Sequence, residues 1–341
     1  MVREAKQLED TIFNHGDKLI NGGKVKKVQP TRGLQSFLDD VVKPQTSNHK
    51  ASTVKSVKTT LKRIVKRTPE VMVKVTGGGN SMGKIQAHMT YISRNGQLEA
   101  EDQDGNKVKG KEEIQETADE WQMSGDPISD EESKYKQAFN IVLSMPKGTN
   151  EQAVYEAAKE FAKQHFEDHK YLMVQHTYSN DPNKKPSENP HVHIVVKAVS
   201  DKGVRLNPRK DDLQAWRESF AEKLRERGVE ANATKRIHRM QKTRGNKQAV
   251  HQMKAKGKRF NKYGQGKASP ERVDNAKQQE KEAIHHYKKL SQALAQGDQD
   301  DRKLAVDIVD YLSKQLKVDP NKNIDKSKQE RDQVKPKGID R

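Results

Sequence analysis

The segment Asn189-Pro190-His191-Val192-His193-Ile194-Val195-Val196 holds the clearest chemistry in the chain. In a β-strand, side chains two residues apart leave the same face, so His191 and His193 point together while Val192, Ile194 and Val196 point into a core. A His-x-His pair alone is commonly no more than two surface residues. Upstream, however, Leu172-Met173-Val174-Gln175-His176-Thr177-Tyr178 reads as a second strand. Pairing the two as a hairpin around residues 179–189 sets His176 beside the pair. Three neutral imidazoles facing one pocket make a metal site with positions left open for substrate oxygens. By contrast, His285-His286 are adjacent on an expected helix, diverge, and read as solvated.

A cation beside an ester still needs an attacking group. The 341 residues include no cysteine, which excludes disulfides, thiolate catalysis and Cys-ligated zinc together. Water, serine, threonine and tyrosine remain. Tyr91 lies near the end of a helical stretch in which Ile85, Met89 and Ile92 bury one face, leaving Lys84, His88 and Tyr91 on a more polar stripe. Tyr178 shares the face of His176. Among the eight tyrosines, Tyr155 and Tyr311 fit core helix positions and Tyr263 lies in a basic segment. Spacing leaves the choice between Tyr91 and Tyr178 open.

The elements that position these groups follow from periodicity. Glu70 to Val75 is a short β-branched run closed by Gly77-Gly78-Gly79. Ser81 is placed to cap the helix that carries Tyr91, and Gly96 to stop it. Residues 97–109 suggest a hairpin about Asp104-Gly105, and 111–122 a short acidic helix. A buried strand at 138–145 ends at Pro146, and Asn150 caps a helix to about Phe166. The two histidine strands follow, at 171–178 and 191–199. A helix at 211–227, with Leu213, Trp216, Phe220 and Leu224 inside, ends at Gly228. This order predicts an α+β fold, a largely antiparallel sheet with helices packed on one face, flanked by polar and helical extensions.

Composition narrows the partners. Lys and Arg outnumber Asp and Glu by 66 to 48, a net charge of +18, which favours nucleic acid or an anionic membrane surface. No apolar run approaches the roughly 20 residues that span a bilayer, and no signal peptide is read at the start, so a cytoplasmic location is expected. Hydrophobic residues make up 31% and charged residues 33%, enough for one compact core with long polar flanks. We therefore expect a polar, mobile tail over 1–69, a catalytic domain over 70–230, a basic DNA-binding segment over 231–270, and a helical extension with a mobile end over 271–341. The basic segment contains no Asp or Glu at all, and offers Phe260 and Tyr263 for stacking on bases. The glycine run before the Tyr91 helix lacks the lysine spacing of a nucleotide-binding loop.

The stretch Ala87-His88-Met89-Thr90-Tyr91-Ile92-Ser93-Arg94-Asn95-Gly96, followed about a hundred residues later by Asn189-Pro190-His191-Val192-His193, resembles the plasmid conjugative relaxases, or mobilisation nucleases. These belong to the HUH endonuclease superfamily, and the likeness is nearest to its border-endonuclease and P-type mobilisation branch. The tract from Val204-Arg205-Leu206-Asn207-Pro208-Arg209 through Trp216-Arg217 to Gly228-Val229-Glu230-Ala231-Asn232-Ala233-Thr234 is similar too. The resemblance covers roughly residues 70–240 and implies an HUH relaxase-like fold. It makes Tyr91 the nucleophile and gives Mg²⁺ or Mn²⁺ to His176, His191 and His193, with Glu99 or Glu101 as the acidic group beside a metal histidine. The order, tyrosine before histidines, is that of relaxases; rolling-circle replication initiators reverse it. The gap between His176 and His191 is longer than the family motif. Implied activity is site-specific nicking and rejoining of single-stranded DNA at a plasmid transfer origin. Lys84, Arg94, Arg205, Arg209, Lys235, Arg236, Arg239 and Arg244 are the expected DNA contacts. Relaxosome accessory proteins and a secretion coupling protein are the implied partners. The other classes that the residues allow are a rolling-circle initiator, a water-using metal phosphoesterase and a non-catalytic basic DNA-binding protein.

Overall fold

The structure, a computed structural model, describes residues 50–235, 238–240, 253, 257 and 269–316, with side chains from Val57 onward. The described residues fall into two compact units, one formed by Arg67–Ala233 and the other by what precedes and follows it.

The first unit is built on six antiparallel strands: β1 (Met72–Gly77), β2 (Ala100–Asp102), β3 (Lys107–Val108), β4 (Ala138–Ser144), β5 (Tyr171–His176) and β6 (His191–Lys197). Their spatial order is β1-β4-β6-β5-β2-β3. The histidine strands β5 and β6 are therefore central, each paired on both edges. Such strands must bury both faces, and their β-branched content suits them to that. On one face Val192, Ile194 and Val196 pack with Ile141, Leu143 and Met173 under α4 (Glu151–Phe166) and α5 (Lys210–Glu226), through Phe161, Phe166, Trp216 and Phe220. On the other face Val195, Leu172 and Val174 meet α2 (Met82–Ile92) and α3 (Lys111–Met123), through Ile85, Met89, Ile92 and Trp121.

The α+β class and the antiparallel sheet hold. The expectation of helices on one face is corrected: helices cover both. Each helix covers only part of the sheet, and apolar residues of both parities along β5 and β6 already require two covers. The glycine run answers to packing. A Cβ on Gly78 would sit 2.3 Å from the Ala138 carbonyl oxygen, and one on Gly79 would sit 2.4 Å from the Ile85 side chain. These glycines let the chain turn tightly from β1 into α2.

In the second unit, α1 (Lys50–Val65), α6 (Pro270–Leu294) and α7 (Gln299–Leu316) share a core. Val57, Leu61 and Ile64 of α1 are buried with Tyr287, Leu290, Ile308 and Tyr311, and Lys58 reaches Asp301 at 2.7 Å. The mobile-tail expectation over 1–69 thus fails for its last stretch. The apolar positions recur at helical spacing, but their partners lie more than 200 residues away in sequence. Ser269 caps α6, with Pro270 in its first turn, as the start signals require. No described helix is long and apolar enough to cross a membrane.

Candidate metal and nucleophile site

The register of β5 on β6 sets His176 directly opposite His191 and Val174 opposite His193. All three imidazoles therefore leave the same face, the one covered by α2. Ring centroids lie 5.1 Å apart for His176 and His191, 4.7 Å for His176 and His193, and 5.1 Å for His191 and His193. One ligand nitrogen from each falls within 4.8 Å of the others. Burial holds all three rings neutral, depressing His176 to about 4 and His193 to about 2, and lowering His191 as well. Neutral rings keep the lone pairs a cation requires.

The donor set fits a cation. His191 places Nδ1 at 2.9 Å from the Asn189 carbonyl oxygen, which fixes the proton there and leaves the Nε2 lone pair outward. Among the described residues, the buried Nδ1 of His193 has no hydrogen-bond partner. A buried polar atom in that state is satisfied by an ion or water. His176 is more constrained. Its Nε2 lies 2.7 Å from the carbonyl oxygen of Ile92, which can only accept, so Nε2 carries the proton. The remaining lone pair, on Nδ1, accepts from Nη2 of Arg94 at 3.1 Å.

Arg94 ties this cluster to Tyr91. Its guanidinium donates to both carboxylate oxygens of Asp181, at 3.0 and 2.9 Å, and to the Tyr91 carbonyl oxygen at 3.0 Å. It also lies 5.2 Å from the centroid of the Tyr91 ring. The hydrogen bond to Arg94 holds Asp181 well below the usual carboxylate range, and Asp181 raises Arg94 in return. The backbone is bent to allow it: Arg94 and Asn95 both take positive φ, 54° and 57°, before Gly96 at 78°. Consecutive non-glycine residues in that region are uncommon. A Cβ at Gly96 would fall 2.3 Å from the Gly110 backbone, so only glycine completes the turn. Tyr91 itself is 63% exposed at the C-terminal end of α2, with His88 stacked 6.1 Å away.

Residues 91–229 match the family model described as relaxase, MobA/VirD2-like, nuclease domain. The likeness to the relaxases and mobilisation nucleases stands. The T-DNA border endonuclease VirD2 of Rhizobium radiobacter is 25% identical over 189 residues, covering 50% of this chain and 43% of that protein. The chain thus spans less than half the length of this curated relative. The matched relaxase segment begins at Tyr91 and contains all three histidines.

The relaxase-like unit does not bring every expected residue to the cluster. Glu101 pairs with Met173, so it leaves the sheet face opposite to the histidines. There it accepts from Lys107 at 2.7 Å, Lys159 at 2.5 Å and Tyr155 at 2.6 Å. Glu99 joins the same group through Lys107 at 3.3 Å. The acidic group that faces one of the three histidines is instead Asp181, 3.3 Å from His176 Nδ1. Its sequence signal was only a carboxylate inside the loop between two histidine strands. Tyr178 is 62% exposed and interacts electrostatically with Lys147. Lys84 is paired with Glu132 at 2.7 Å at the start of α2, the end remote from Tyr91. Arg205 stands 5.6 Å from the Tyr135 ring, and Arg209 begins α5 with its backbone N–H on Asp212. Lys235 and Arg239 belong to the second unit. Arg236, Arg244 and most of the basic segment lie outside the described residues.

Proposed function

We propose that this protein is a relaxase: it nicks single-stranded DNA at a plasmid transfer origin through Tyr91 and rejoins it. The observation that carries this reading is the junction of two chemistries in one hydrogen-bonded group. Tyr91 and the three-histidine cluster share Arg94, and the carbonyl of Ile92, next to Tyr91, holds His176. This junction lies within the segment similar to relaxase nuclease domains.

In the proposed reaction, the Tyr91 hydroxyl oxygen attacks the scissile phosphorus as the bond to the 3′ oxygen breaks. The products are a 5′-phosphotyrosyl link and a 3′ hydroxyl, and the phenol proton ends on the departing oxygen. One phosphodiester replaces another, so the step runs in either direction and suits cutting followed by rejoining. A free tyrosine titrates at about 10 and is a weak nucleophile at neutral pH. Mg²⁺ or Mn²⁺ held by His176, His191 and His193 would supply the compensating Lewis acidity at the phosphate oxygens. The chain's own part is to place the Tyr91 ring, through Arg94 and the bent turn, beside that face. Lys and Arg in 231–270 would neutralise phosphates along the strand. Cytoplasmic residence and contact with relaxosome proteins or a secretion coupling protein belong to this proposal.

Incubation with labelled single-stranded DNA spanning the candidate origin, with Mg²⁺ or Mn²⁺, should give a protein–DNA adduct on a denaturing gel. Tyr91→Phe should abolish it. Cleavage with no adduct in the wild type would mark a water-using phosphoesterase instead. Metal-independent binding without cleavage would leave a basic DNA-binding protein.

A further inference from the structure

The tautomer of His176 has a consequence for the cation site. Its single lone pair, on Nδ1, is engaged by Arg94 Nη2 at 3.1 Å, and the ring is fully buried. A cation that uses all three histidines must therefore break that hydrogen bond. It must also settle beside a guanidinium whose positive charge repels it, at a separation where such repulsion is strong. Asp181 grips that guanidinium through two hydrogen bonds, so Arg94 does not leave on its own. A phosphate can draw it off. Guanidinium binds phosphate with the same fork geometry as carboxylate, and Arg94 lies against the exposed Tyr91 ring, where a phosphodiester under attack would sit.

We infer that Arg94 is a built-in competitor for the cation at the histidine cluster, holding His176 until a DNA phosphate takes over its guanidinium. The inference rests on the proposed relaxase reading and adds to it a coupling: metal and DNA each tighten the binding of the other. Linkage makes the two effects equal in size. In this role Arg94 is a positioning residue, acting through His176 and Tyr91.

The test is Mn²⁺ binding to the full chain, followed by the electron-spin signal of free Mn²⁺, without any turnover. Without DNA, Arg94→Gln should bind Mn²⁺ at least tenfold more tightly than the wild type. Arg94→Lys, which keeps the charge, should gain less. In the wild-type Arg94 background carrying Tyr91→Phe to prevent cleavage, a short single-stranded oligonucleotide should tighten Mn²⁺ binding by a similar factor. Arg94→Gln should lose that coupling. The double variant Arg94→Gln/Asp181→Asn should retain the gain; its disappearance would mean that Asp181 had become the new ligand and would overturn the inference. Equal or weaker Mn²⁺ binding by Arg94→Gln would also overturn it, leaving the relaxase reading intact. Binding that His193→Ala does not weaken would place Mn²⁺ elsewhere and remove both the inference and the metal part of that reading.

Discussion

Two buried carboxylates serve opposite faces of one sheet, and they are satisfied in different ways. Glu101 receives two lysines and a tyrosine hydroxyl on the face covered by α4, and every group in that cluster has its partner. Asp181 is also held by a cation, but around it the network stays open. His193 keeps a buried nitrogen with no partner among the described residues, and Tyr91 stands exposed at the edge. A closed ion cluster fixes structure; an open one, with a buried nitrogen left without a partner, is equipped for a ligand. The lesson is that the unmet bonding capacity of His193, rather than charge, separates the histidine cluster from the Glu101 cluster.

Substitutions can break or sharpen that contrast. His193→Ala should lower Mn²⁺ affinity by about a hundredfold or more, since removing a direct ligand costs at least what removing a supporting hydrogen bond does. Unfolding stability should change little, because the deleted imidazole carries an unpaired nitrogen. Calorimetric titration and urea unfolding on the same sample read both quantities. Glu101→Gln should do the reverse, destabilising by about 1–3 kcal/mol while leaving Mn²⁺ affinity as it was. A Glu101 variant that loses metal would erase the distinction between the faces.

The pH dependence follows from the same carboxylate. Burial pushes Glu101 up, but the hydrogen bonds from Lys107, Lys159 and Tyr155 outweigh it and hold the group below its ordinary value. A depressed acid stabilises fully above its unfolded pKa of about 4.3 and loses that contribution as pH falls through the folded value. Stability measured on the acid side should therefore fall less steeply in Glu101→Gln than in the wild type. The smallest effect is expected outside both clusters. Replacing basic residues of 241–268 with Gln should reduce the salt slope of single-stranded DNA binding by roughly 0.7 for each phosphate left without its cation. An unchanged slope would remove that segment from the interface.

Much of the histidine cluster was legible in the sequence. The period of two in a strand put His191 and His193 together, and a hairpin brought His176 to them, even across the long loop. Helical periodicity placed Tyr91 on a more polar stripe, and the structure leaves it exposed. Glu101 was misassigned because face depends on register: the short β2 pairs Ala100 with Val174, which sends the neighbouring Glu101 to the other side. No local pattern reveals that parity. Asp181 sits in a loop, where there is no period to read. Arg94 joins residues 3, 82 and 87 positions away, and only the folded turn at its positive φ shows the connection. The α1 helix hid behind the polar composition of its neighbourhood, since its burial comes from α6 and α7.

The central claim is that the open cluster serves Tyr91. The most direct measurement is peptide mapping by mass spectrometry of the covalent adduct formed by the wild-type protein with single-stranded origin DNA and Mn²⁺. We expect a 5′-phosphonucleotide on Tyr91 and its absence when the metal is chelated. Modification of Tyr178 instead, or metal-dependent cleavage with no modified tyrosine, would contradict the claim.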